Sequence, residues 1–163
     1  MRARQKIKSP ADLRAICDAV RNRDGKVVFT NGCFDLLHIG HIRYLEEARN
    51  LGDILIVAVN TDDSVRHIKG PDRPIVSENE RAELVASLHC VDFVTFFDTP
   101  DPLPLIKYLL PDVLVKGADW PIEKIVGARE VLQAGGRVVP VDLVPDRSTS
   151  GLIEKVLERF GRK

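Results

Sequence analysis

The chain has 163 residues, with 24 Lys and Arg balanced by 24 Asp and Glu. That length suits one domain with a full hydrophobic core, divided into an N-terminal helical segment (1–24) and a core (25–163). Neutral overall charge leaves no footprint for nucleic acid or an anionic membrane surface. The longest apolar run, Ile54 to Val59, is far too short to span a bilayer.

Met1 to Lys6 is basic, but no apolar stretch follows it, so no secretory signal is visible. Ser9-Pro10-Ala11-Asp12 starts a helix: a capping serine, proline at the first position and an acid in the first turn. Leu13, Ile16, Cys17 and Val20 form its apolar stripe, and Gly25 ends it. Cys17, Cys33 and Cys90 are odd in number and scattered, as expected of reduced thiols in a cytoplasmic protein.

Val27-Val28-Phe29-Thr30 reads as a buried strand, and Asn31-Gly32 as a turn signal. His38, Gly40 and His41 then precede a helix in which Ile42, Leu45 and Ala48 recur on one face. Two imidazoles at a strand-to-helix turn, beside free helix N–H groups, suit an anion and above all phosphate. Gly40 leaves room for a ligand to approach the backbone. The plainer alternative is that both histidines are packing residues. A metal site is the other alternative, although no Cys, Asp or Glu lies nearby at a zinc spacing. Cys33 reads as a small packing residue, because nothing singles out a base to activate it.

Ile54 to Val59 has no alternation, which suits a parallel strand covered on both faces. The polar stretch Asn60 to Pro74 is expected to be a mobile loop carrying Lys69 and Arg73. Cations following a central strand there point to a phosphate-handling loop. Ser77-Glu78-Asn79-Glu80 is a capping box, opening a helix with Ala82, Leu84 or Val85, and Leu88 inward. Val91 to Phe97 is a third strand, and Thr99-Pro100-Asp101-Pro102 starts a helix that ends before Pro111. Val113 to Val115, a fourth strand, delivers Lys116-Gly117-Ala118-Asp119-Trp120. Pro121 to Gln133 is expected to be helical, Gly135-Gly136 a turn, and Arg137 to Val141 a fifth strand. Arg147-Ser148-Thr149-Ser150 caps a last helix bearing Leu152, Ile153, Val156, Leu157 and Phe160.

Strands alternating with helices imply a doubly wound, Rossmann-like α/β domain with a five-stranded parallel sheet. Asn31 to His41, Asn60 to Arg73, Lys116 to Trp120 and Arg147 to Ser150 all follow strands, so they should converge at one carboxyl-end face. No G-x-x-x-x-G-K-[ST] and no G-x-G-x-x-G after the first strand is present. Imidazoles, cations and helix N-termini match stabilisation of a polyphosphate during attack at phosphorus. Asp35 and Asp62 either orient a metal or water or stabilise their loops.

Gly32 to His41, with the form His38-Ile39-Gly40-His41, resembles the signature of the HIGH-motif nucleotidyltransferase superfamily. Arg147-Ser148-Thr149-Ser150 is similar to its second element. Val59 to Val65, Lys69 to Pro74, Glu80-Arg81-Ala82 and Leu114 to Trp120 further resemble the adenylyltransferase domain of the ADP-heptose synthases. The likeness runs from about Gly25 to the C-terminus. It implies transfer of AMP from ATP, as its magnesium complex, to a heptose 1-phosphate for lipopolysaccharide core assembly. His38, His41 and Lys69 would be catalytic. Nucleotide would lie against Thr30, Asn31, Gly32, Phe34, His38, Gly40, His41, Lys116, Gly117, Asp119, Arg147, Ser148, Thr149 and Ser150. The acceptor would lie against Asp35, Asn60, Asp62, Lys69, Arg73 and Trp120, and Mg2+ would be held mainly by the triphosphate. A homodimer and a separate heptose kinase are implied partners.

Two departures stand out. The family is often fused to a sugar kinase, and relatives often read Cys-Ser-Thr-Thr-Asn where this chain has Arg147-Ser148-Thr149-Ser150-Gly151. The competing readings are a CTP-dependent transferase acting on glycerol or ethanolamine phosphate, and a nucleotide-binding sensor without catalysis.

Overall fold

The computed structural model describes residues 1–99, 101–118, 121–142, 144 and 148–161. Its elements are α1 (Ala3–Lys6), α2 (Pro10–Arg21), β1 (Val27–Gly32), α3 (Ile39–Arg49), β2 (Ile54–Asn60), α4 (Asp62–Lys69), α5 (Glu78–Ser87), β3 (Phe93–Phe97), α6 (Leu103–Leu109), β4 (Val113–Gly117), a 3-10 turn (Ile122–Lys124), α7 (Ala128–Gln133), β5 (Arg137–Val141) and α8 (Thr149–Phe160). The five strands form one parallel sheet in the order β3-β2-β1-β4-β5. Strand order reverses between β1 and β4, which opens a crevice at their carboxyl ends.

Both faces of the sheet are covered, as the unbroken apolar strands require. Val28, Val57, Val59, Val94 and Val115 pack with Leu45 of α3 and Ala82 and Val85 of α5. Val27, Phe29, Ile56, Ala58 and Leu114 pack with Leu13 of α2, Ile106 of α6 and Val131 of α7. Ser9 caps α2 by accepting the Asp12 N–H, as its sequence foretold. The N-terminal segment also holds α1, whose end pairs with β3 through the Ile7–Val94 bridge.

Two expectations need correction. Asn60 to Pro74 is not one long loop. Thr61 caps Asp62–Lys69 as a helix, accepting the Ser64 N–H, and Asp62 and Asp63 favour its positive end. Its solvent face is so polar that the period shows only at Val65 and Ile68. Pro121 to Gln133 is not one helix either, because Gly127 adopts φ 86° and separates the 3-10 turn from α7. Leu84, one of two candidates for the inward position of α5, is exposed, and Val85 takes the core position.

Candidate active site

A cavity of about 430 Å³ lies at the carboxyl end of β1 and β4. Asn31, Gly32, Cys33, Phe34, Asp35, His38, Gly40, His41 and Tyr44 line it from β1 and the start of α3. Lys69 and Arg73 come from the far side of β2, Lys116 and Gly117 from β4, and Ser148, Thr149 and Ser150 from the start of α8. Four segments distant in sequence therefore meet at the switch point. Asp119, Trp120 and Arg147 lie outside the described residues.

His38 is the N-cap residue of α3 and His41 sits in its first turn. Their rings stack with centroids 3.9 Å apart, and Phe34 packs against His41 at 5.3 Å. Burial, together with the neighbouring His38, pulls the His41 pKa down from 6.5 to about 4. Its Nδ1 is buried with no hydrogen-bond partner among the described residues. A neutral imidazole still offers one N–H to a phosphate oxygen, and an approaching anion favours its protonation. Burial raises the Cys33 thiol above its usual range despite Lys69, Arg81 and Arg73 nearby, so it has no thiolate character.

α8 begins beside this turn. Ser148 caps it by accepting the Gly151 N–H, and the Thr149 hydroxyl donates to the Leu36 carbonyl at 3.3 Å. A twelve-residue helix thus presents its positive end, with Ser148, Thr149 and Ser150, to the cavity.

Several residues expected to touch ligand also hold the protein together through hydrogen bonds. Thr30 is fully buried beneath the cavity, with its hydroxyl 2.7 Å from that of Tyr44. Asp35 is 2% exposed and accepts the Ile75 and Val76 N–H groups and Arg73 Nε, the last at 2.7 Å. Burial alone would raise its pKa, but those N–H groups and the Arg73 guanidinium hold the carboxyl below its ordinary value. Asp35 lines the cavity and fixes Arg73 at its rim. Asn60 Nδ2 donates to Ser64 Oγ, and Asp62 accepts from Arg81, so neither side chain is presented to the cavity.

The residue that organises this edge is Arg81, which is wholly buried. Its Nε donates to the Val76 carbonyl at 2.9 Å and its Nη1 to the Cys33 carbonyl at 2.6 Å. Nη2 donates to the Asn60 carbonyl and to Asp62 Oδ1, each at 2.7 Å. One guanidinium thus ties together the ends of β1 and β2, the start of α4 and the segment after Arg73. Arg81 and Tyr44 were not among the sequence candidates. Glu80-Arg81-Ala82 stood out only by resemblance, and nothing local marks an arginine in a capped helix as buried.

Among the described residues, no group of three or more His, Cys, Asp or Glu is placed to hold a metal ion. Among the described residues, no helix is long and apolar enough to cross a membrane.

Residues 29–154 match the cytidylyltransferase-like family. The chain is 51% identical over 155 residues to the bifunctional protein HldE of Syntrophotalea carbinolica, covering 95% of this chain and 32% of that protein. It is 53% identical over 156 residues to HldE of Citrifermentans bemidjiense, with the same coverage of 95% and 32%. The chain therefore spans about a third of the length of the curated relatives it matches. It is similar to the crystal structure of a lipopolysaccharide core biosynthesis protein from Thermoplasma volcanium. The TM-score there is 0.60 with 32% identity, over 74% of this chain and 97% of that one. A pantoate–β-alanine ligase from Francisella tularensis shares the fold alone, with TM-score 0.57 and 14% identity over 93% of this chain and 78% of that one.

Proposed function

The chain belongs to the cytidylyltransferase-like family of nucleotidyltransferases, and from that premise we propose that it transfers AMP from MgATP to a heptose 1-phosphate. The products are ADP-heptose and pyrophosphate, and the pathway served is lipopolysaccharide core assembly. The observation that carries the reading is one cavity lined by stacked His38 and His41, by cations and by a helix N-terminus. Lys69 and Arg73 form one edge, and Ser148 to Ser150 with the start of α8 form the other. The kinship with HldE proteins over 95% of this chain, and with a lipopolysaccharide core biosynthesis protein, supports the choice of acceptor.

The mechanism follows from that arrangement. An oxygen of the acceptor phosphate attacks the α-phosphorus of ATP, and the bond to the β-phosphate oxygen breaks. In-line displacement places acceptor and leaving pyrophosphate on opposite sides of the α-phosphorus. The acceptor phosphate lies towards Lys69 and Arg73, and the pyrophosphate lies over Thr149, Ser150 and the α8 N-terminus. His38 and His41 hydrogen-bond the oxygens that gain charge in the transition state, the role that most favours rate over binding. Mg2+ enters as part of the nucleotide substrate, held by phosphate oxygens and water. Cys33 takes no part, since the attacking oxygen belongs to the substrate.

The test is a product assay with purified protein, heptose 1-phosphate and ATP, CTP or GTP. Pyrophosphate release and ADP-heptose formation with ATP are expected. Turnover confined to CTP with glycerol or ethanolamine phosphate would replace this reading with the alcohol-phosphate cytidylyltransferase. Nucleotide binding without turnover on any acceptor would leave a sensor.

A further inference from the structure

Strand alternation sorts the cavity walls by sheet face. Val28 packs on the α3 side, and Thr30 reaches Tyr44 of α3, so both point to that face. Val27 and Phe29 pack on the opposite side, with α2, α6 and α7. Asn31 continues the second series, and Lys116 follows Leu114 onto the same face. The Lys116 ammonium reaches the Asn31 main-chain carbonyl at 3.4 Å. Imidazoles thus approach the crevice from one side of the sheet, and the Asn31 carboxamide approaches from the other.

Asn31 Oδ1 is buried, and it has no hydrogen-bond partner among the described residues. A buried amide oxygen without a donor carries a desolvation penalty, and such atoms are rare in folded proteins. Thr95 Oγ1, two strands away in the same row, is also without a partner among the described residues, but Thr95 is 1% exposed and does not line the cavity. Asn31 does line it. The missing partner must be a hydrogen-bond donor. Ionised phosphate oxygens cannot serve, whereas a hydroxyl or amine on the non-phosphate part of a substrate can.

Sheet order selects which substrate. The cations Lys69 and Arg73 follow β2, and Ser148 to Ser150 follow β5, on opposite sides of the β1–β4 pair. With acceptor phosphate on the β2 side and pyrophosphate on the β5 side, the acceptor's sugar lies over β1. The nucleoside is left the β4 and β5 half, with Lys116 and Gly117. We propose that Asn31 is a specificity-determining residue whose carboxamide accepts a hydroxyl of the acceptor sugar. The inference rests on the nucleotidyltransfer reading above.

The experiment is steady-state kinetics of Asn31→Leu and wild type with ATP and heptose 1-phosphate. It is accompanied by Kd for a non-hydrolysable ATP analogue and by thermal unfolding. Loss of one such hydrogen bond should raise the acceptor KM about tenfold. The ATP KM and the analogue Kd should stay within about twofold. Leucine also removes a partnerless oxygen, so the melting temperature should not fall. A raised ATP KM or weakened analogue binding with unchanged acceptor KM would make Asn31 a nucleoside contact and overturn the proposal. So would unchanged constants for both substrates, or a lowered melting temperature without any KM change. If wild type turns over no sugar 1-phosphate, the parent reading fails with this one; turnover by wild type with an indifferent Asn31→Leu sinks this one alone.

Discussion

His41 carries the sharpest residue-scale consequences. It sits in a first helical turn, yet its ring is stacked on His38 and withdrawn from water, so its charged form is disfavoured in the folded protein. The unfolded chain takes up this proton near pH 6.5, whereas the folded one waits until about pH 4. Between those values the unfolded state binds more protons, so stability falls as pH drops from 6.5 towards 4. Melting temperatures from pH 7 to pH 4.5 should show this loss, and His41→Gln should flatten part of it. An equal pH slope in wild type and variant would remove burial of the imidazole as its cause. The same residue should matter to rate more than to binding. His41→Ala is expected to lower kcat about 100-fold or more, the usual scale for one transition-state donor. The Kd for an ATP analogue should change by only a small factor. Intact turnover would make His41 a packing residue.

Among the elements, the segment carrying Arg73 is secured more firmly than its composition suggests. Asp35 holds it from the β1–α3 turn, and Arg81 holds it from α5. Arg81→Leu would strand the Cys33, Asn60 and Val76 carbonyls and leave Asp62 without its partner. Breaking a buried charged network of this kind costs about 3–5 kcal/mol. Urea unfolding should register that loss, and a variant within about 1 kcal/mol of wild type would show that the network is not needed for stability. A smaller cost, about 1 kcal/mol, is expected for Ser148→Ala at the α8 cap. These networks mark the limit of what the chain reveals when read alone. Val27 to Phe29 and Ile54 to Val59 announce buried parallel strands, because β-branched runs without alternation have few other homes. His38 and His41 stand out because polar residues interrupt the pattern at a strand end. Arg81 does not, since its partners lie up to 48 positions away and no local rule joins them. For the same reason Asp35 and Asp62 read equally well as ligands or as braces, and the bracing shows only in their hydrogen bonds to Arg73 and Arg81. α4 is hidden in the sequence because its solvent face is charged almost throughout, and α7 is shorter than its pattern because one glycine at positive φ ends the turn before it.

At the scale of the whole molecule, the cavity joins parts of unequal security. β1, β2, β4 and α3 are anchored in the two cores, but α8 has no buried residue, and Leu152, Val156, Leu157 and Phe160 are all exposed. The cap at Ser148 and the Thr149 bond to Leu36 tie its start to the α3 turn. Elements with so few buried contacts open at low free energy. A triphosphate seated between His41 and Ser150 adds bonds to both α3 and α8, so its binding energy becomes folding energy for the weaker one. At 100 times Kd a ligand stabilises by about 2.7 kcal/mol. For a chain of this size that corresponds to a rise of about 5–10 °C in melting temperature. Hydrogen exchange should locate the gain. With an ATP analogue and Mg2+, amides from 149 to 160 should slow most, those of the α3 first turn should slow less, and α2 should not change. Protection confined to α2 and α6 would place the nucleotide against the face of the sheet opposite α3, away from the paired histidines.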